Sequence, residues 1–470
     1  MSNDEPTRTF LAEDELPPPD HPMAVARVLL AETHNIQGLE LTKELTQRYW
    51  RGDWMRWDGN KWIAEEDNIL RGRIYQRLEH AWYMHETKNG MEPKEWRPTK
   101  DKINKLLDAM KILVYLPRAS QPPTWLNSTD STVGLVACAN GLLDVSARKL
   151  LPHTPQYFND VSVPFDYLPN APQPKLWLKF LNQLWNDDPD SIKLLQQWFG
   201  YILSGRTNQQ KMLVLVGPAR SGKGTIARVL TGLVSKESIA APTLGSFRGD
   251  FGLQPLASKS VAIIADARLS DEAHAVVERL LNITGEDPIT VNRKYKDQET
   301  FQLPIRIMLV SNLLPRFSDP SGAIASRCML LLTRKSFLDH EDKSLTDKLL
   351  KELPGILNWS LDGLTSLNRA GKFTVPKSSE DAIRALQDLT SPIMAFVRDC
   401  CVRDGSVESQ ELYLAWKDWC EENGQAAGST QTFGRNLKSV VPGVKLNQAR
   451  RKGGRSAARY REYIGISLKP

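Results

Sequence analysis

The sequence predicts an α/β protein whose central domain is a parallel sheet carrying a phosphate-binding loop. A mixed α+β domain precedes it and a winged-helix domain follows it. Three observations support this fold class. The apolar run Met212–Val216 leads into the glycine-rich turn Gly217–Gly222 and then into a helical pattern. Two more apolar runs, Ser260–Asp266 and Ile305–Val310, have the length of buried parallel strands. Residues 391–470 combine three helical patterns, at 392–404, 410–423 and 430–437, with a basic segment and a final strand.

The composition is that of a globular protein. The 470 residues leave room for about three domains of ~150 residues each. The net charge of +6 permits a polyanionic partner. We expect a cytoplasmic protein, in the host cytoplasm if it is viral, with no membrane partner, because no apolar run approaches ~20 residues. The five cysteines lack zinc-site spacing and are expected to be reduced and buried.

The N-terminal third is predicted to form a tail and one α+β domain. Residues 1–22 are acidic and proline-rich, which predicts a disordered tail. Residues 23–166 form the α+β domain, mostly helical over 68–115. Four tryptophans flank the turn signal Asp58-Gly59, which predicts a β-hairpin. Their rings either stack on bases or pack across the strands, and we favour packing.

Residues 167–205 are predicted to be a helical linker or oligomerisation segment. A proline-rich stretch opens it, and a long helical pair with an aromatic stripe follows, best explained by core packing. Residues 206–368 are then predicted to form the domain that contains the phosphate-binding loop.

The turn after Met212–Val216 has the chemistry of a nucleotide site. Its glycines let successive backbone N–H groups face phosphate oxygens, the helix start adds partial positive charge, and Lys223 reaches the β- and γ-phosphates. The residues expected to hold ATP are Gly217, Pro218, Ala219, Arg220, Ser221, Gly222, Lys223, Gly224 and Thr225.

Two residues are candidates for holding Mg²⁺. The loop pattern has Ser or Thr directly after the lysine, but here Gly224 precedes Thr225. Either Thr225 reaches the metal from its later position, or the metal depends more on other ligands. Asp266 ends the second apolar run, which we expect to be a parallel strand next to Met212–Val216, so that its carboxylate can face the metal or the attacking water. It is therefore a metal ligand, a catalytic base, or both.

Two further residues are candidates for the hydrolysis step. Asn312 follows the third strand, where an amide can bond both the γ-phosphate and a water. Arg327 precedes the apolar run that ends at Leu332, and it can be presented across a subunit interface as a charge-stabilising finger. The alternative for Arg327 is an ordinary surface ion pair.

Two basic segments are candidates for binding DNA. Residues 284–301 predict a hairpin whose tip carries Arg293, Lys294 and Lys296, which grip a phosphodiester backbone or are simply solvated. After a linker at 369–390, residues 391–470 predict a winged helix. The basic residues of its wing are Arg450, Arg451, Lys452 and Arg455. The alternative is a solvated basic loop.

A series of motifs, in a fixed order along the chain, resembles one protein family. The motifs are ANGLLDV, GPARSGKGT, IIADARLSDEAHAVVERLLNITGEDPITVNRKY, LVSNLLPR, ASR and the terminal FGRNL…YIGISL. They are similar to superfamily 3, AAA+-type helicases of phage and plasmid primase-helicase proteins. The region with RYWRGDWMRWDGNKW resembles the poxvirus- and phage-type module that precedes these helicases. No carboxylate-rich primase motif is found.

The resemblance implies a hexameric ring that hydrolyses ATP with Mg²⁺ and translocates on single-stranded or forked DNA. A separate primase or polymerase is left open as a partner. In this assignment Lys223, Asp266, Asn312 and Arg327 are catalytic, and Lys294 lies in the DNA-gripping hairpin. Two alternatives remain: a DNA-binding replication initiator switched by ATP and a small-molecule phosphotransferase, since GKGT also occurs in nucleotide kinases.

Overall fold

The structure of the chain is a computed structural model with two compact units, Met1–Tyr167 and Leu168–Pro470. The residues that it describes are 10–32, 44–120, 122–127, 135–257, 259–265, 274–292, 294, 298–315, 317, 319, 321–450 and 459–470.

The first unit contains helices and small antiparallel sheets, as predicted for an α+β domain. Its described helices are α1 (Pro22–Glu32), α2 (Asp67–Glu79) and α3 (Lys100–Leu113). Its described strands are β1 (Gln47–Trp50), β2 (Asp53–Trp57), β3 (Trp62–Glu65), β4 (Trp82–Thr87), β5 (Gly90–Glu95), β6 (Thr124–Trp125), β7 (Leu135–Cys138), β8 (Gly141–Asp144), β9 (Lys149–Leu151) and β10 (Tyr157–Phe158).

The predicted tryptophan-rich hairpin is confirmed and has one more strand. Strands β1, β2 and β3 form an antiparallel sheet. Three of the four tryptophans, Trp50, Trp54 and Trp62, are buried. The Trp62 indole donates to the Pro155 carbonyl at 3.2 Å. For these three rings, core packing is the correct interpretation.

Two predictions for this unit are wrong in part. Residues 68–115 are not helical throughout, because β4 and β5 form a hairpin between α2 and α3. The missed signal is Asn89-Gly90: Gly90, with φ +118°, begins β5 directly after the turn. The disordered tail does not extend over residues 10–22: Leu16 is buried and donates its N–H to the Trp82 carbonyl. Residues 1–9 lie outside the described residues.

The second unit contains the parallel sheet. Its described helices are α4 (Lys175–Leu184), α5 (Pro189–Leu203), α6 (Lys223–Val234), α7 (His274–Gly285), α8 (Ala323–Arg327), α9 (Leu345–Leu350), α10 (Leu353–Ala370), α11 (Glu380–Thr390), α12 (Pro392–Cys400), α13 (Ser409–Glu422) and α14 (Thr430–Val440). Its described strands are β11 (Met212–Val216), β12 (Ile239–Ala240), β13 (Val261–Ala265), β14 (Ile289–Val291), β15 (Glu299–Phe301), β16 (Arg306–Ser311), β17 (Cys328–Leu332), β18 (Cys401–Val402), β19 (Ser406–Glu408), β20 (Lys445–Arg450), β21 (Arg459–Ile464) and β22 (Ser467–Leu468).

Five parallel strands form the central sheet in the order β12-β13-β16-β11-β17. All residues of β11 are buried, as its unbroken apolar run predicts. We expected the strand that ends before Asp266 to be a neighbour of the loop-bearing strand. This is wrong, because β16 lies between β13 and β11. The carboxyl ends of all three strands still meet at one edge of the sheet.

Helices cover the sheet and extend its core. The aromatic stripe of α4 and α5 is buried as predicted, with Trp177 stacked on Phe199 at 5.8 Å. The predicted linker at 369–390 is wrong in its second half. There α11 forms a helix, and Leu386 is fully buried in the hydrophobic core of the sheet. Apolar residues at helical spacing, Ile383 and Leu386, explain this packing.

The C-terminal part of the second unit combines three helices with a small sheet. Helices α12, α13 and α14 occupy the positions that the sequence predicts, within a few residues. Strands β19, β21 and β20 form an antiparallel sheet. The cysteines form no disulfide, and four of the five are buried. In the described part of the chain, the helices are too short or too polar to span a membrane.

Candidate nucleotide-binding site

The candidate site is the loop between β11 and α6. Strand β11 lies between β16 and β17, so the loop follows an interior strand at the carboxyl edge of the sheet. The turn into α6 needs two residues in the left-handed region, Arg220 at φ +57° and Gly222 at φ +84°. A side chain at Gly222 would also meet the Phe180 ring, since an added Cβ would lie 2.9 Å from its Cζ.

Lys223 is buried at the start of α6, with 7% of its surface exposed. Its ammonium donates to the carbonyls of Gly217 and Pro218, each at 2.7 Å, and to the hydroxyl of Ser221 at 3.2 Å. Burial lowers the pKa of Lys223. No carboxylate is among these partners, so a cation stands inside the loop without a counter-charge there.

Thr333, the residue after strand β17, packs against the loop and forms hydrogen bonds with it. Thr333 donates its N–H to the Val216 carbonyl at 2.8 Å. Its hydroxyl lies 2.7 Å from that of Ser221. The approach is so close that a Cβ at Gly217 would lie 2.0 Å from Thr333 Oγ1. The first glycine of the loop is therefore required by packing as well as by phosphate access.

A cavity of about 620 Å³ opens beside the loop. This is within the usual range for small-molecule sites, roughly 300–1,000 Å³. Its described lining has more cationic than acidic side chains. The cations are Lys179, Arg220, Lys223, Arg228 and Lys343, and the acids are Glu341 and Asp342. The Arg220 guanidinium lies 3.3 Å from the Glu341 carboxylate. The size and charge of the cavity fit a polyphosphate ligand.

Only one of the two predicted metal ligands, Thr225, lies among the described residues. Thr225 lines the cavity, and its hydroxyl accepts a long hydrogen bond of 3.5 Å from Arg228. Asp266 lies outside the described residues. Within the described ranges, no group of three or more His, Cys, Asp or Glu side chains could hold a metal ion. The residues that would hold Mg²⁺ here are the predicted ligands, Thr225 and Asp266, together with the phosphates of the ligand itself.

The structure brings Asn312 to the site and keeps Arg327 away from it. Asn312 follows β16 and lines the same cavity as Lys223. Arg327 precedes β17 at the opposite edge of the sheet, because Cys328 pairs with Met212 at the start of β11. The five residues of β11 separate the two edges by about 17 Å. Arg327 instead donates to the Thr284 carbonyl at 2.8 Å and to Gln210 Oε1 at 3.3 Å.

Most of the predicted DNA-binding residues lie outside the described residues. Strands β14 and β15 form the predicted hairpin, and Lys294 in its tip is exposed, with its backbone N–H donating to Gln254 Oε1 at 3.2 Å. The other tip residues, Arg293 and Lys296, lie outside the described residues. So do Arg451, Lys452, Arg455 and the side chain of Arg450.

Sequence reasoning missed two walls of the cavity. One is α4, whose Leu176, Lys179, Phe180 and Gln183 line it. The other is the segment after β17, residues 337–346. The charged run that follows Leu332 could have indicated an exposed segment, but nothing local shows that it folds back on a loop more than a hundred residues earlier.

Models of three protein families match this chain, each over less than half of it. The model described as "D5 N terminal like" matches residues 41–186, and the "Poxvirus D5 protein-like" model matches residues 390–467. Between them, a "Family of unknown function (DUF5906)" matches residues 215–327, which include the loop. D5-type segments before and after the sheet support the predicted relationship to phage-type primase-helicase proteins and a role linked to replication.

Solved structures with a similar fold come from the C-terminal region of NrS-1. One apo structure of residues 305–718 has a TM-score of 0.54 at 13% identity, covering 95% of this chain and 99% of that chain. An A-form apo structure of the region has a TM-score of 0.51 at 12% identity, covering 93% and 99%. At such low identity this likeness shows a shared fold.

Proposed function

We propose that this protein is an ATP-dependent replicative DNA helicase of a phage or mobile element, which works as a hexameric ring on single-stranded DNA. The observation that carries the proposal is Lys223, a buried ammonium inside a strand-loop-helix turn, at the wall of a cavity large enough for a nucleotide. A cation held at a helix start, with no carboxylate among its hydrogen-bond partners in the described residues, is suited to an anionic phosphate chain.

In the proposal, the residues at the carboxyl edge of the sheet have different roles in ATP hydrolysis. Lys223 and the loop N–H groups bind and orient the phosphates. Asn312, which follows the neighbouring strand and lines the same cavity, would position the attacking water. Mg²⁺, held by Thr225 and Asp266, would neutralise phosphate charge.

The position of Arg327 supports a ring. Charge on the transferred phosphoryl group needs a neighbouring cation, and an arginine finger is worth ~10³ to 10⁵ in rate. Arg327 stands about 17 Å from the loop of its own chain, along β11, which is too far for its side chain. In the proposal it acts on the ATP of the neighbouring subunit, and the site is complete only between two copies.

DNA would contact two basic segments. The β14–β15 hairpin carries Lys294, with Arg293 and Lys296 beside it in sequence. Helix α14 and the β20–β21 hairpin form a winged-helix module that binds a duplex at the fork, with a basic stretch at residues 450–455. Hydrolysis at each subunit interface would move the first hairpin and drag the strand.

A subunit-mixing experiment tests the shared site. Lys223→Ala and Arg327→Ala are each expected to abolish ATP turnover while leaving the mass of the assembly unchanged. When the two inactive proteins are mixed and reassembled, an interface with an intact loop and an intact arginine forms in about a quarter of cases, so about that share of activity should return. Arg334→Ala, an exposed arginine in the same unit, is the matched control.

The result separates the candidates. If Arg327→Ala alone turns over ATP normally, Arg327 is a structural residue and the ring mechanism is wrong. If both single variants are inactive and their mixture recovers no activity, the site is not shared between subunits and the ring mechanism is again wrong. Unwinding of a forked duplex distinguishes a helicase from an initiator that only switches with ATP. Stimulation by a nucleoside monophosphate, and not by DNA, would instead favour the phosphotransferase.

A further inference from the structure

The cavity beside the loop extends past the residues that the phosphate-binding motif accounts for. The loop and the start of α6 form one side of it. Two other walls come from α4, with Gln183, and from the segment after β17, with Phe337 and His340. A triphosphate bound by the loop would leave these walls to the rest of the nucleotide.

Both walls are fixed to the phosphate end of the cavity. Phe180 of α4 packs on Gly222, where an added Cβ would lie 2.9 Å from the ring. On the other side, Phe337 donates its N–H to the Arg220 carbonyl at 3.0 Å, and Ser336 donates its hydroxyl to the Ala219 carbonyl at 2.9 Å. Since the loop and both walls are connected, a ligand held by the loop has the walls at a defined distance.

The two walls offer complementary chemistry. Phe337 is half-buried and presents an aromatic ring to the cavity, with the Lys335 ammonium 5.4 Å from the ring centroid. Gln183 is exposed and carries an amide, which both donates and accepts hydrogen bonds. A flat heteroaromatic base uses these two features, because its face stacks on an aromatic ring and its edge pairs with an amide.

We propose that Phe337 and Gln183 form the base-binding end of this site and select an adenine nucleotide. Phe337 stacks on the base and favours purines, whose two fused rings offer more surface than a pyrimidine. Gln183 reads the edge, since a glutamine amide can pair with the amino group and N7 of adenine. This inference rests on the proposed function, because it assigns the specificity of the same ATP site.

The test compares four nucleotides across matched variants of the full chain. KM and kcat are measured with ATP, GTP, CTP and UTP for wild type, Phe337→Ala and Gln183→Ala. Leu338→Ala and Asn182→Ala are the controls, since each is an exposed neighbour of one tested residue and does not line the cavity. Inhibition by inorganic tripolyphosphate, which has no base, reports on the phosphate end alone.

We expect Phe337→Ala to raise the KM for ATP at least tenfold, with less effect on kcat, and to reduce the preference for ATP over UTP. Gln183→Ala should reduce the preference for ATP over GTP by severalfold. Tripolyphosphate inhibition should stay within twofold of wild type in both, which also shows that the variants are folded.

Three results would overturn the inference. In the first, both variants keep the nucleotide preferences of wild type. In the second, tripolyphosphate inhibition weakens as much as ATP binding, so that the residues serve the loop and not a base. In these first two cases the proposed function is still supported if the wild-type protein hydrolyses ATP. In the third, wild type binds and hydrolyses no nucleotide, which overturns both.

Discussion

The first and last glycines of the loop motif, Gly217 and Gly224, should respond in opposite ways to the same substitution. In Gly217→Ala, the new methyl group would lie 2.0 Å from Thr333 Oγ1 and 2.3 Å from the Thr333 carbonyl oxygen. Comfortable contacts between such atoms are about 3.5 Å, so an atom has to move by more than an ångström. In Gly224→Ala, the nearest atom apart from the helix backbone is Nη1 of Arg228, one turn further along α6, at 3.5 Å, which is ordinary contact.

The clash at Gly217 cannot be relieved cheaply. The Thr333 N–H is bonded to the Val216 carbonyl at 2.8 Å, and β17 pairs with β11 along its whole length. Moving Thr333 would break this pairing at the site itself. We expect Gly217→Ala to lower the free energy of unfolding by about 3 kcal/mol, near the top of the usual overpacking range. Gly224→Ala lies inside α6 and should stabilise by up to about 1 kcal/mol.

Urea denaturation of both variants measures the two free energies, and binding of a fluorescent ATP analogue measures the site. Gly217→Ala should lose nucleotide affinity as well as stability, since Lys223 bonds the Gly217 carbonyl at 2.7 Å. If Gly217→Ala proves as stable as wild type, the close approach of Thr333 to the loop is wrong.

Two further predictions concern the first unit and Lys223. Trp62→Ala should lower the free energy of unfolding of the first unit by about 3–5 kcal/mol, because the ring is 1% exposed. Trp57→Ala should cost clearly less, because that ring is only partly buried at the side of the same cluster. Denaturation monitored by tryptophan fluorescence measures both, and equal losses would contradict the packing. Burial lowers the pKa of Lys223, and a bound phosphate should raise it again, so ATP binding should take up a proton at alkaline pH and weaken as the pH rises through the lowered pKa. Calorimetry in buffers of different ionisation enthalpy measures this uptake, which should vanish in Lys223→Arg because a guanidinium stays protonated.

The sequence by itself determined those parts of the structure that local pattern controls. The strand, turn and helix of the loop lie within residues 212–234, so apolar period and glycine placement were enough to find them. The same holds for the tryptophan-rich hairpin and for the helices of residues 391–470. The pattern failed where a short signal was overlooked, as at Asn89-Gly90, or where an amphipathic helix was taken for a linker, as in α11.

Tertiary structure alone decided what surrounds the loop. Thr333 is 112 residues from Ser221 in the chain, yet the two hydroxyls are 2.7 Å apart, because parallel pairing of β17 with β11 brings the ends of both strands to one edge. The same pairing places Arg327 at the other edge. The strand order, the close approach of Thr333 to the loop and the walls of the cavity all depend on which distant segments pack together. Because the hydrophobic effect is non-directional, a local stretch of apolar residues does not specify which segment it packs against.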